Sequence, residues 1–169
     1  MRRTTVLILT CLIWCMLSTA TYAPAGGVLA APNLQEEAEE EEEPPPAYSE
    51  EDLDWLARLV HAEAQGEPLE GKIAVANVVL NRVKSRNFPD TIKQVIFQRV
   101  NGRYQFCPVR NGSIYQEPSQ EALEAARLAL EGKIVVKDAL YFYNPKLARS
   151  AWIRSRPVVR VIGNHNFAG

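Results

Sequence analysis

LVHAEAQGEPLEGKIAVANVVLNRV, residues 59–83, contains the end of one helix, a break, and most of a second helix. Upstream of the break, Leu53, Leu56, Ala57, Val60 and Ala64 fall on one face at helical spacing. Ser49 followed by Glu50, Glu51 and Asp52 supplies a cap and the acids that suit the positive end of a helix dipole. The first helix is therefore expected over Glu50–Ala64, stopped by Gly66-Glu67-Pro68. The second is expected over residues 69–86. Ile73-Ala74-Val75-Ala76, Val78-Val79-Leu80 and Val83 make it apolar nearly all round, the mark of a helix at the centre of a domain.

Working outward, Asn87-Phe88-Pro89-Asp90 breaks the second helix. A short third helix is expected over 91–99, ended near Asn101-Gly102, and Tyr104 to Pro108 read as a loop or short extended piece. Ser119 caps a fourth helix over 120–131, with Leu123, Ala126 and Leu130 facing inward and Gly132 ending it. Residues 139–143 and 158–162 are rich in β-branched and aromatic residues and predict strands. Gly163-Asn164 is a tight turn into a last strand at His165-Asn166-Phe167. Helices first and strands later predict an α+β fold with a small antiparallel sheet.

The N-terminal third has a different character. Met1-Arg2-Arg3 precedes the apolar run VLILTCLIWCML, residues 6–17, and small residues follow. A run of about a dozen apolar residues is short for a membrane span and has the layout of a secretory signal. We assign 1–25 to a signal peptide, with 23–25 and 28–30 as rival cleavage sites and an uncleaved anchor as the alternative. No stable membrane span is expected after processing. Residues 26–50 are expected to be a disordered linker, since their glutamates repel one another and Pro44-Pro45-Pro46 favours extended chain. The domain is expected over 51–169. From Asp52 onward it holds 17 Lys+Arg against 11 Asp+Glu, a balance hidden in the overall −1 because residues 36–51 hold nine acids. A basic exported domain is drawn to anionic polymers. No Arg/Lys-rich helix, zinc spacing or RNP-type strand indicates nucleic acid as the partner. Cys107 is the one cysteine outside the signal segment, so the domain relies on its apolar core rather than on a disulfide.

One residue does not fit a purely structural helix. With Leu56 set at zero and about 100° per residue, Val60 lies at about 40° and Glu63 at about −20°, inside the apolar stripe, whereas His61 falls near 140°. Glu63 is thus turned toward the interior or a cleft beside it. Burying a carboxyl group raises its pKa unless a partner holds the charge, and a raised pKa suits a general acid in glycoside cleavage. The competing reading is a structural ion pair with Arg82 or Arg103. Glu67 is either the second carboxylate of a hydrolase pair or a loop charge capping the second helix.

With only His61 and His165, no metal site is expected. Cys107 and His165, with Asn164 or Asn166 as orienter, are the parts of a thiol nucleophile and base; the plainer fate of Cys107 is a small buried thiol. Aromatics and amides are the stronger signal. Tyr104-Gln105-Phe106, Tyr141-Phe142-Tyr143-Asn144 and Trp152 all lie in or beside loops, where ring faces and amides line grooves for sugars.

Several blocks together resemble a known family. Ala62-Glu63-Ala64-Gln65-Gly66-Glu67-Pro68 and Gly71-Lys72-x-Ala74-Val75-Ala76-x-Val78-x-x-Asn81-Arg82 are similar to the opening of the SleB/CwlJ-type cell wall hydrolases, the spore cortex-lytic enzyme family. Tyr104-Gln105-Phe106, Ala139-x-Tyr141-Phe142-Tyr143-Asn144-Pro145, Trp152 and Ile162-Gly163-x-His165-x-Phe167 follow in the same order. The resemblance implies a lysozyme-like helical lobe, and glycan strands of peptidoglycan as substrate. It implies Glu63 as the catalytic acid of a lytic transglycosylase, with a hydrolytic muramidase or a non-catalytic wall-binding module as alternatives. Glu67, Tyr143, Asn144 and His165 are expected to bind substrate, together with Tyr104, Gln105, Phe106 and Trp152. No cofactor is implied, and the sequence names no accessory protein of wall or spore coat.

Overall fold

Ser49 opens the first helix, α1 (Glu50–Ala64), through a reciprocal cap. Its Oγ accepts from the Asp52 N–H at 3.1 Å, and Asp52 Oδ2 accepts from the Ser49 N–H at 3.2 Å. The computed structural model describes residues 48–169; the expected signal segment, and the linker up to residue 47, lie outside the described residues. Leu53, Leu56, Ala57, Leu59, Val60 and Ala64 are the buried residues of α1. Each large side chain among them contributes about 1.5–3 kcal/mol by leaving water.

The second helix, α2 (Leu69–Lys84), ends two residues before the expected position, at an extended Ser85. Every residue from Gly71 to Val79 is buried, as the all-round apolar pattern predicts for a central helix. A short α3 (Ile92–Ile96), capped by Thr91, packs against α1 and α2. Here the chain departs from expectation. Residues 99–104 form a hairpin, with Arg99–Val100 (β1) paired to Arg103–Tyr104 (β2). Asn101 (φ 51°) and Gly102 (φ 76°) both adopt left-handed backbone, the twist that a two-residue hairpin loop requires. The expected loop after it is in part a helix, α4 (Cys107–Asn111), with Pro108 in its first turn. A single 3₁₀ turn, Ser113–Tyr115, follows.

The helix capped by Ser119, α5 (Gln120–Leu130), packs across both α1 and α2. Its buried face is Ala122, Ala125, Ala126 and Ala129; of the expected Leu123, Ala126 and Leu130, Ala126 is buried and the two leucines are only partly so. Alanines let three helices approach closely, and the leucines then fill the flanks.

The second half of the fold is a three-stranded antiparallel sheet in the order β3-β5-β4. Its strands are Tyr141–Tyr143 (β3), Val158–Ile162 (β4) and His165–Ala168 (β5). Ile162 faces His165 across the tight turn, and Phe142 faces Phe167. A four-residue helix, α6 (Ala151–Arg154), capped by Ser150, interrupts the expected loop before β4. The α+β expectation holds.

Polar side chains on α2, the buried Asn77 and Arg82 and the half-buried Asn81, hang this sheet from the helices. Asn77 Oδ1 accepts from the N–H groups of Val135 and Val136 at 2.7 and 3.3 Å, and its Nδ2 donates to the Lys133 carbonyl at 2.9 Å. Asn81 Nδ2 donates to the carbonyls of Val136 and Ala139 at 3.1 and 3.0 Å. Arg82 Nε donates to the Leu140 carbonyl at 2.8 Å. Asn77 and Asn81 lie one turn apart on the same face, Arg82 follows about 100° round, and together they fix the segment 133–140 that feeds β3.

Candidate active site

Glu63 is the penultimate residue of α1, and its carboxyl group lines a cleft of about 470 Å³. Glu67, Tyr143, Asn144 and His165 line the same cleft, so five of the expected site residues converge. Phe142, Asn164 and Cys107 complete the inner walls, with Leu147 exposed at the rim.

Burial pushes the Glu63 carboxyl up to about 7, and the nearby positive charge of Arg82 opposes the rise. No hydrogen bond or ion pair to the Glu63 carboxyl group is present among the described residues. The two readings of the helical stripe thus separate. Arg82 is an electrostatic neighbour but makes no salt bridge with Glu63, and Arg103 lies on the β1–β2 hairpin. Arg82 is itself buried, beneath the rings of Phe88, Phe106 and Tyr141 at 5.0–5.6 Å, and burial lowers its pKa to about 10.

Glu67 has a different role from Glu63. Its two carboxylate oxygens accept from the Asn164 backbone N–H at 3.0 Å and the Asn164 side-chain amide at 3.1 Å. Its carbonyl accepts from Lys72 Nζ at 2.8 Å, and Lys72 also pairs with Glu121 at 2.7 Å. Glu67 therefore ties the end of α1 to the turn between β4 and β5. Gly163 in that turn has φ 54°, and a Cβ there would sit 1.8 Å from Glu67 Oε2, so both backbone and space demand glycine. His165 Nδ1 lies 3.8 Å from Glu67 Oε1 and has no hydrogen-bond partner among the described residues. Burial lowers the His165 pKa, against the pull of Glu67.

The remaining expected residues lie elsewhere. Phe106 is 3% exposed and stacks on Phe142 at 6.3 Å, so it backs the cleft wall from the core and offers no face to a ligand. Tyr104, on β2, lies under the Arg99 guanidinium at 4.3 Å. Gln105 and Trp152 line a second cleft, on the far side of Phe142. Cys107 is exposed and borders the Glu63 cleft, which corrects the expectation of a buried thiol. Its position at the first residue of α4 brings it out, and the sequence carried no clear signal for that five-residue helix.

Residues 66–168 match the family described as Cell Wall Hydrolase. The chain belongs to the cell wall hydrolase family. Among relatives, it is 44% identical over 120 residues to a spore cortex-lytic enzyme of Oceanobacillus iheyensis, covering 71% of this chain and 42% of that one. It is 32% identical over 123 residues to the cell wall hydrolase CwlJ of Bacillus subtilis, covering 69% of this chain and 83% of that one. Among solved structures, it resembles the catalytic domain of the germination-specific lytic transglycosylase SleB from Bacillus anthracis. That likeness has a TM-score of 0.68 at 40% identity, over 75% of this chain and 100% of that one. The expected kinship and fold are thereby borne out. The chain spans less than half the length of the spore cortex-lytic enzyme it matches. The cell wall hydrolase family match begins at Gly66, three residues beyond Glu63, so the case for Glu63 in this cell wall hydrolase is carried by geometry.

Proposed function

We propose that this chain cleaves the glycan strands of peptidoglycan as a lytic transglycosylase, with Glu63 as its acid and then its base. The observation that carries the reading is the desolvated, unpaired Glu63 carboxyl group at an open cleft walled by Tyr143, Asn144 and His165. With a pKa near 7, Glu63 keeps a proton available at neutral pH. It gives that proton to the oxygen linking N-acetylmuramic acid to N-acetylglucosamine. The C1–O bond breaks, and the glucosamine end leaves as an alcohol. The Glu63 carboxylate then takes the proton from the muramic C6 hydroxyl as that oxygen bonds to C1, closing a 1,6-anhydro ring. Arg82 favours the transient carboxylate. His165 offers Nε2 to a sugar hydroxyl, its Nδ1 being buried toward Glu67, and Tyr143 offers a ring face.

A single free acid suits this route, because no second carboxylate activates water. Glu67 also borders the cleft, but both its oxygens already accept from Asn164. The hydrolytic alternative uses Glu67 in spite of those bonds and yields reducing ends. The spore cortex or ordinary cell wall outside the membrane is the proposed place of action. Residues 1–25 are proposed as the export signal, 26–50 as a linker and 51–169 as the catalytic domain.

The test is digestion of purified cortex and vegetative peptidoglycan with wild type and Glu63→Gln, with products identified by mass spectrometry. Anhydro-muramic ends released by wild type, and a loss of about 10²–10⁴-fold in the variant, are expected. Reducing ends would move the assignment to the muramidase. Binding without any released fragment would leave a wall-binding module.

A further inference from the structure

The second cleft measures about 550 Å³ and shares the Phe142 side chain with the first as a common wall. Arg82, Gln98, Gln105, Tyr141 and Trp152 line it. Arg82 is 6% exposed, and its Nη1 has no hydrogen-bond partner among the described residues. Gln98 Oε1 and Arg156 Nε are buried and unpartnered as well. The Arg156 guanidinium is not part of the cleft lining but lies 4.4 Å from the ring centre of Trp152, which is, and Trp152 meets Tyr141 edge-on at 5.1 Å. Cations surround these residues in the sequence. Arg149, Arg154 and Arg156 bracket Ser150 and Trp152, Arg99 precedes Val100, and no Asp or Glu occurs between Ala139 and Gly169. Buried donors on cations are costly when unmade, and a charged acceptor satisfies them best.

We propose that this cleft receives the carboxylate-bearing peptide that hangs from the lactyl ether of a muramic residue. Arg82 takes the carboxylate within the cleft, Arg156 reaches it from beside Trp152, Gln98 accepts a peptide N–H, and Tyr141 and Trp152 form the apolar walls. The Phe142 partition then lets one strand place a sugar at Glu63 and its peptide beyond the partition. The inference rests on the proposed action on peptidoglycan, but its test does not depend on turnover.

The probes are an N-acetylmuramyl tripeptide with a free terminal carboxylate, its terminal carboxamide, and inorganic phosphate. None contains the bond that Glu63 is proposed to cleave. Each is titrated into the full isotope-labelled chain while the Trp152 indole N–H resonance is followed. The free acid is expected to shift that resonance, with the carboxamide binding about tenfold more weakly. Arg156→Gln is expected to bring the acid down to the level of the carboxamide and to leave the carboxamide unchanged. Equal affinity of acid and carboxamide in wild type, no shift at Trp152, or displacement of the peptide by phosphate at lower concentration would each overturn the proposal. If the chain releases glycan fragments yet ignores the carboxylate, the second-cleft proposal alone fails. If it binds the carboxylate yet cleaves nothing, the Glu63 reading alone fails.

Discussion

Asn164 donates two hydrogen bonds to Glu67, 97 residues earlier in the chain, and this pairing joins the helical half of the fold to the sheet. Removing the acceptor leaves two donors unmade beside the site. Glu67→Ala is expected to lower stability by about 2–4 kcal/mol in denaturant unfolding. Gly163→Ala is expected to do comparable damage with both partners left in the sequence, because its backbone has positive φ and its Cβ would meet Glu67 Oε2. If Glu67→Ala is as stable as wild type, the clasp is decorative.

Glu63 should weaken the fold when ionised. Its folded pKa, about 7, lies above the ordinary value of 4.5, so the stability it allows is fully present below about 4.5 and is lost as pH rises through 7. Glu63→Gln does not titrate. The variant is expected to match wild type near pH 4, gain between 4.5 and 7, and remain about 1–3 kcal/mol more stable above that. Parallel stability curves across this range would show that the carboxyl group is not desolvated.

The same proton sets the rate. The acid form of Glu63 is required for the first step, so kcat/KM on solubilised glycan strands is expected to fall as pH rises above about 7. Replacing Arg82 by Leu removes the opposing charge. It is expected to move that fall to higher pH, a displacement that general damage to the fold would not produce.

Cys107 shares the cleft with His165, so a thiol mechanism makes a definite statement about it. Under the carboxyl mechanism, Cys107→Ser should retain at least about half of the fragment release, since exposed substitutions of this size change little. Loss of all activity, with release of peptides rather than anhydro sugars, would turn the assignment to a cysteine amidase.

Asn77 is buried with its amide bonded at both ends to the backbone of residues 133–136. Asn77→Ala is expected to lower stability by about 2–4 kcal/mol and to loosen β3, seen as faster amide exchange at Tyr141–Tyr143.

The sequence was most legible where local periodicity and burial coincide. The α1 stripe located Glu63 because a helical face is fixed by residues a few positions apart. The strands and their tight turn were legible for the same reason. Asn101-Gly102 is ambiguous because the same two residues end helices and close hairpins, and only the pairing of Arg99 with Tyr104 distinguishes them. On α5 the leucines flank a buried face of alanines because close approach to α1 and α2 favours small side chains over larger ones. Aromatics were recognised as ligand-facing, but long-range packing decides which of them face a cleft. It sends Phe106 inward, Trp152 to the second cleft and Tyr143 to the first. Asn77, Asn81 and Arg82 gave a local hint, three polar residues in an apolar helix, but their partners lie 55 to 59 residues away.

Those three side chains also decide how the groove is dimensioned. Glu63 stands on one helix, and the strand opposite it is suspended from another by largely interior amide and guanidinium bonds. The aperture is thus calibrated from inside the protein, like a jaw set by a hidden screw. Variants selected for bulkier or slimmer glycans will carry changes at these interior positions as readily as on the visible walls.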